Sequence, residues 1–519
     1  MRIAGIDWIV LVLFFLLFLA MALYINGRVR SVADYLVSGR KVRMWLGMGA
    51  GIAGEIGLIT IVGTCEQGYM RGYAFIFLGT LYMVVMVPLF GVFGFGIERF
   101  RASKAISVPQ YIEMRYSRGL RILTGFSNSL AGVVQMFVFP IVGARFIRVL
   151  IGAPESVTWA GCSIESAWII MTILLLCVVI FTFLGGYITL IVTNFFQMIL
   201  IVVAIYGVFF LLIEKIGLQQ FWSSLEESKG LSGFYPFTGE AGSYGTVWFS
   251  WLMLMSILLQ FSYGPYLQKY ASMDKPKTVS RSYLLGQIFG NGRTFVILGL
   301  GVAALAAMGP DMPVDTAMTE AQWQKMVTPY YLSQMVPVGL MGLLLAALLF
   351  ADISTTDQYI LSWATSIVND CICPFKKTAF SSKQHIRAVR VTIMGLCLLF
   401  FIYGLFYVPS TPLWEYLWLC ATIICGTGIA ILFGMYWKRA STVGAYAAIV
   451  TCLVLPLLDI VARQVYAVHE WTYPWTPETT GFFTFVLAIG LMLFLSLLSR
   501  QPSKYWDLGE EVKKMNRSG

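Results

Sequence analysis

Thirteen stretches of this chain stay apolar for about 18 residues or more, the length a helix needs to cross roughly 30 Å of hydrocarbon. They lie at roughly 8–25, 44–65, 74–97, 122–152, 166–184, 187–213, 246–266, 283–308, 332–369, 388–408, 411–437, 441–462 and 480–499. Lipid offers no partner to a backbone N–H or C=O, so each stretch must close its own hydrogen bonds as a helix. Composition points the same way. Of 519 residues, 58% are apolar and 12% are charged, whereas a soluble domain is about a quarter charged. So few charges cannot cover a water-exposed surface, which excludes a disordered chain, a coiled coil and a soluble multidomain enzyme. The 37 Phe, 26 Tyr and 15 Trp suit aromatic belts at both membrane interfaces. The expected fold is an all-α polytopic membrane protein. The first stretch does not read as a cleaved signal peptide. Asp7 precedes it, Arg2 is its only leading cation, and no small-x-small cleavage site accompanies Gly27-Arg28.

The net charge of +10 is explained by topology rather than by a nucleic-acid partner. Alternate loops hold 27 of the 36 lysines and arginines, and the opposite loops, 214–240 and 311–320, carry acidic residues. Basic loops stay in the cytoplasm, which predicts an N-out, C-in chain with an odd number of spans. The longest loop, 214–245, is too short for a soluble catalytic domain. Most of the nine cysteines sit inside apolar runs as small core residues. Cys371-x-Cys373 has no second pair, and His385 and His469 are the only histidines, so no zinc site is expected.

Three carboxylates interrupt the apolar spans: Glu55, Asp352 and Asp357. Each costs roughly 2.5–3.5 kcal/mol at mid-membrane, so each should face a cavity, pair with a cation, titrate or bond a neighbouring helix. The second span runs Gly47-Met48-Gly49-Ala50-Gly51-Ile52-Ala53-Gly54-Glu55-Ile56-Gly57. Gly49-x-Gly51-x-x-Gly54 matches a dinucleotide pattern literally, but no strand precedes it. Glycines here permit either close helix packing or an unwound segment whose freed carbonyls hold a cation. In the ninth span, at about 100° per residue, Ala351, Ser354, Thr355, Gln358, Ser362, Thr365 and Ser366 share a stripe about 120° wide. Asp357 flanks this stripe beside Ser354 and Asp352 flanks it beside Thr355. Hydroxyls with a carboxylate are hard oxygen ligands and favour an alkali cation over a transition metal.

Several motifs, in this order, resemble the sodium:solute symporter family over about residues 30 to 450. They are Asp34-Tyr35-x-x-x-Gly39-Arg40, Pro109-x-Tyr111-x-x-x-Arg115-Tyr116, and Leu184-Gly185-Gly186-Tyr187 with Val192-Thr193-Asn194-x-x-Gln197. Gly264-Pro265-Tyr266-x-x-Lys269-Tyr270 with Asp274-Lys275 and Lys277, then Tyr436-Trp437-Lys438-Arg439 with Gly444-Ala445, complete the set. The resemblance implies a leucine-transporter-like fold of two inverted five-helix repeats plus three extra helices. The implied layout is a peripheral span and loop at 1–43, repeat one at 44–213, an extracellular loop at 214–245, and repeat two at 246–437. Peripheral spans at 438–499 and a tail at 500–519 follow. It also implies a sodium site between spans two and nine: the carbonyls of Ala53, Ile56 and Ala351 and the hydroxyls of Ser354 and Thr355. Two departures from the family pattern stand out. Asn194 replaces a usual Asp, and Asp357 stands where the family has a small or hydroxylic residue. Asp357, Asn194, Glu55 and Gln358 are therefore the candidate members of a second cation or proton site. Thr60, Gln260, Asn291 and Arg293 lie roughly where relatives contact solute. Arg293 either receives an acidic solute or pairs with one of the chain's own acids.

The expected activity is sodium-coupled import of a small polar or acidic organic solute by alternating access. The chain would not be an enzyme, would use sodium as its coupling ion, and would need no organic cofactor, nucleic acid or obligate protein partner. It would be a multi-pass protein of the plasma (inner) membrane. Proton coupling on the same fold, or a membrane sensor or cation channel, are the alternatives. Sensor relatives carry a long C-terminal domain, and only about twenty residues follow Arg500 here.

Overall fold

The computed structural model describes residues 3–26, 42–105, 107–159, 162–239, 244–290, 292–312, 319–376, 380–407, 411–468, 473–499, 505 and 507–517. The Asp34-to-Arg40 motif and Asn291 lie outside them. Among the described residues twelve helices are long and apolar enough to cross a membrane. The segment expected as the second span is not one of them, because it is two shorter helices: α2 (Met44–Glu55) and α3 (Leu58–Arg71). Ile56 and Gly57 separate the two, and Gly57 is extended (φ −81°, ψ 159°).

Before this break comes α1 (Gly5–Asn26); after it come α4 (Ala74–Met86), α5 (Arg118–Met136) and α6 (Phe139–Leu150). The Ser117 hydroxyl caps α5 by accepting from the Leu120 N–H. A two-stranded antiparallel hairpin, β1 (Ser156–Trp159) and β2 (Cys162–Glu165), then leads into α7 (Ser166–Ile216). Within α7 lie two apolar spans, Ser166–Phe183 and Thr189–Ile216. The hairpin and an isolated parallel bridge between Val42 and Met273 are the extended pairings among the described residues.

A second interruption follows. Helix α8 (Gly245–Ser262) stops at Tyr263, whose backbone is extended (φ −75°, ψ 113°), and α9 (Gly264–Ser272) resumes with Pro265 in its first turn. Proline suits that position because the first helical N–H groups have no partner to lose. Next come α10 (Pro276–Gly290), α11 (Gly292–Met308) and α12 (Glu320–Met335). The expected ninth span, 332–369, began too early: residues 332–335 belong to α12, and α13 (Leu340–Ser366) starts after Gly339. Gly339 has φ +87°, a conformation that side chains resist. Buried Asp7 fixes this start, since its Oδ1 accepts from the N–H groups of Gly339 (2.7 Å) and Gly342 (2.9 Å). A carboxylate at a helix N-terminus satisfies orphan donors and meets the dipole's positive end.

The remaining long helices are α14 (Ser382–Phe406), α15 (Leu413–Tyr436), α16 (Thr442–Val468) and α17 (Pro477–Leu498). Helix α13 is buried along nearly its whole length, with Phe350 packed on Phe18 of α1 and Phe181 of α7. By contrast α1 exposes Ile9, Leu13, Leu16 and Leu17, as a helix facing lipid does. The polar stripe of the ninth span thus lies at the centre of the bundle.

Candidate cation and solute site

Both interruptions rest on α13. At the first, a Cβ added to Gly57 would lie 2.8 Å from the Thr355 hydroxyl and 2.9 Å from its Cβ. At the second, a Cβ on Gly264 would lie 2.8 Å from the Ser362 hydroxyl. Thr355 and Ser362 are two helical turns apart on one face, so α13 presents one hydroxyl to each break. Neither glycine needs unusual backbone angles here. Each is required because no space remains for a side chain.

The first break leaves polar backbone inside the bundle, and side chains answer for part of it. The Thr60 hydroxyl donates to the Gly57 carbonyl (2.8 Å), with the Glu55 carbonyl at 3.1 Å. Arg293, in the first turn of α11, donates to the Ile52 carbonyl (3.2 Å) and pairs with the Glu55 carboxylate (2.8 Å). Among the described residues no backbone N–H donates to the Ile56 carbonyl. On α13 the Ser354 hydroxyl bonds the Ala351 carbonyl (3.1 Å), and Asn194 of α7 donates to the Ser354 carbonyl (3.2 Å). Ile56, Ala351, Ser354 and Thr355 therefore sit on the two elements that meet at the break. Ala53 lies in the last turn of α2.

The second break is closed by side chains instead. Tyr270 of α9 donates to Gln260 of α8 (2.5 Å), bridging the interruption, and Tyr263 donates to Gln135 of α5 (3.1 Å). The Tyr263 ring packs edge-on against Tyr359 at 5.4 Å and Trp363 at 5.6 Å, both on α13.

Between the breaks lies a cavity of about 290 Å³. Thr60, Gln260 and Arg293, three of the four expected solute contacts, line it together with Glu55 and Thr355. Tyr266, Tyr359, Trp414 and Trp418 supply aromatic walls. The Thr60 hydroxyl meanwhile donates to the broken backbone. Arg293 lines the cavity and is ion-paired with Glu55, one of the chain's own acids. Neither partner is fully buried (17% and 28% exposed side chains), so the pair is open to the cavity.

A second polar cluster lies behind the first, between α7 and α13. Thr189 Oγ1, Asn194 Oδ1, Asp357 Oδ1 and Gln358 Oε1 are buried oxygens with no hydrogen-bond partner among the described residues. Asp352 accepts a long bond from Thr356 (3.4 Å). Among the described residues no hydrogen bond or ion pair links Glu55 to Asn194, Asp357 or Gln358. Its partner is Arg293.

Sequence reasoning missed the second break. Gly264-Pro265 carried the signal, because proline lacks the N–H that would continue α8, but its position at the end of an apolar run hid it.

The model of the sodium:solute symporter family matches residues 35–452, and the chain belongs to that family. It is a multi-pass membrane transporter that couples a solute to sodium, not an enzyme. The sodium/sialic acid symporter SiaT of Proteus mirabilis is 22% identical over 464 residues, covering 87% of this chain and 89% of that protein. The sodium/glucose cotransporter of Vibrio parahaemolyticus is 20% identical over 485 residues, covering 86% and 84%. The fold matches the substrate-bound outward-open structure of a Na+-coupled sialic acid symporter with a TM-score of 0.78 at 17% identity, over 97% of this chain and all of that one.

Proposed function

We propose that this chain imports a small acidic organic solute with sodium, and that sodium sits where the first broken helix meets α13. The observation that carries the reading is the Gly57–Thr355 contact beside the solute cavity. In this reading the carbonyls of Ala53, Ile56 and Ala351 and the hydroxyls of Ser354 and Thr355 hold the ion. Five neutral oxygens suit a monovalent hard cation. Sodium then acts as a clasp. Bound, it ties α2 and α3 to α13; released, it frees the two halves to rock apart and opens the cavity to the other side. An inside-negative potential adds about 2.3 kcal/mol per charge per 100 mV to the driving force.

Arg293 supports the acidic solute. A guanidinium already matched to one carboxylate in the cavity wall offers the same fork to an incoming one. Sialic acid, named in two relatives, and pantothenate, named in a third, both carry a carboxylate and fit this chemistry. The four unpartnered oxygens around Asp357 favour a second cation, sodium or a proton, at Thr189, Asn194, Asp357 and Gln358. A carboxylate absent from position 194 and present at position 357 would keep one negative charge in that pocket.

Topology follows the same reading. Helices α2 and α3 hold 12 and 14 residues and together reach about 39 Å at 1.5 Å per residue, enough for a thirteenth crossing. We place the N-terminus outside and the C-terminus inside, in the plasma membrane, with the two five-helix repeats at 44–213 and 246–437.

Proteoliposomes holding an inside-negative potential test the proposal. Labelled sialic acid, pantothenate and glucose are offered with and without an inward sodium gradient. Sodium-dependent uptake of an acidic probe is the expected result. Uptake of glucose alone would refute the acidic assignment, and uptake indifferent to sodium would refute the coupling.

A further inference from the structure

A smaller cavity adjoins the solute cavity and shares Glu55, Gln260 and Tyr266 with it. Lys269, on α9 beyond the second break, lines this smaller cavity. From sequence Lys269 counts as one more basic residue of a cytoplasmic loop. The structure places it elsewhere, along a path that begins at the Glu55–Arg293 pair. Among the described residues no hydrogen bond or ion pair engages its ammonium, and the rings of Tyr266 and Tyr270 lie 5.9 and 6.0 Å away.

Glu55 therefore stands between two cations. Arg293 holds it at 2.8 Å on the solute side, and Lys269 lines the next cavity without a partner. Two positive charges against one leave the path short of one negative charge. A partly desolvated ammonium that shares its one nearby carboxylate with a guanidinium is under-compensated, so a passing anion would be welcome there. Position fits as well. Lys269 shares its helix with Tyr270, whose bond to Gln260 bridges the break, so rocking α9 moves the cation relative to Arg293.

We propose that Lys269 is a relay cation on the inward half of the path, a role that rests on the acidic-solute reading above. The solute's carboxylate is received beside Arg293. As the cytoplasmic side opens, Lys269 takes over that charge, and Arg293 returns wholly to Glu55. No bond is made or broken; a single negative charge passes between two fixed positive ones. Lys269 thus acts on release rather than on capture.

The test uses the full-length chain in proteoliposomes, with sialic acid and pantothenate as probes. Lys269→Met is compared with Lys269→Arg and wild type, and external KM is measured separately from turnover. Lys269→Met is expected to leave external KM unchanged while lowering turnover roughly tenfold, the loss of one charge contact. Lys269→Arg, which keeps the charge, should restore most of it. Wild-type turnover in Lys269→Met would overturn the relay while leaving the acidic reading intact. Equal losses in Lys269→Met and Lys269→Arg would make the residue structural and overturn it too. A wild-type protein that carries neither acid would instead refute the acidic reading and remove the basis for the relay.

Discussion

The two broken helices solve one steric problem and reach different chemical ends. Each sets a glycine against a hydroxyl of α13, Gly57 on Thr355 and Gly264 on Ser362, so closely that a Cβ added to either would lie 2.8 Å from that hydroxyl. Around the first break the neighbours are backbone carbonyls, a carboxylate and a guanidinium. Around the second they are Tyr263, Tyr270, Gln135 and Gln260, already bonded to one another. One site leaves oxygen available and the other consumes it. A break supplies geometry, and the residues beside it decide whether an ion or a moving joint occupies that geometry.

The glycines give the sharpest way to break this comparison. Gly57→Ala forces a methyl into Thr355, an overlap costing about 1–3 kcal/mol, and displaces a proposed sodium ligand at the same time. We expect it to abolish sodium-driven uptake, with thermal unfolding close to wild type. Gly264→Ala meets Ser362 just as closely, yet should lower turnover while sodium dependence stays normal. Wild-type sodium saturation in Gly57→Ala would erase the distinction between the breaks.

A smaller effect comes from the cluster behind the first break. Asp357→Ser should lower transport or cation coupling roughly tenfold, the loss of about 1.4 kcal/mol. Adding Asn194→Asp should restore much of it by returning the charge to the same pocket. Independent, additive losses in the double variant would show that the two positions share no site.

The smallest effect belongs to the second break. Tyr270→Phe removes one neutral hydrogen bond to Gln260, about 1 kcal/mol, and should weaken solute binding roughly fivefold by isothermal titration. Sodium binding should stay unchanged. A shift in sodium affinity instead would join the two breaks into one site.

The sequence made the bundle legible because lipid leaves the chain few choices: a long apolar run must be a helix. It also exposed the stripe on α13, since hydroxyls at helical spacing stand out against Leu and Ile. Thr355 and Ser362, which seat the two breaks, both lie on that stripe. The first break was foreshadowed by the glycines from Gly47 to Gly57. The second was not, because apolarity through 246–266 reports burial and is silent on backbone geometry. Lys269 was read as a loop cation for a related reason: charge marks where an apolar run ends, not which cavity a side chain enters. Two other residues also do more than sequence suggested. Asp7, weighed only against a signal peptide, caps α13, and Thr60, expected at the solute, is held by broken backbone. Both roles depend on partners distant in sequence or on backbone angles, and neither leaves a pattern in the chain.

The central claim is that sodium is held at the first break and not at the second. Sodium titration of solute uptake in Thr355→Ala and Ser362→Ala measures this directly, since each variant removes the hydroxyl facing one break. Losing a charge-assisted contact of about 1.5–3 kcal/mol should raise the half-saturating sodium concentration about 10–100-fold in Thr355→Ala and leave it unchanged in Ser362→Ala. Equal shifts in both variants, or none in Thr355→Ala, would contradict the account.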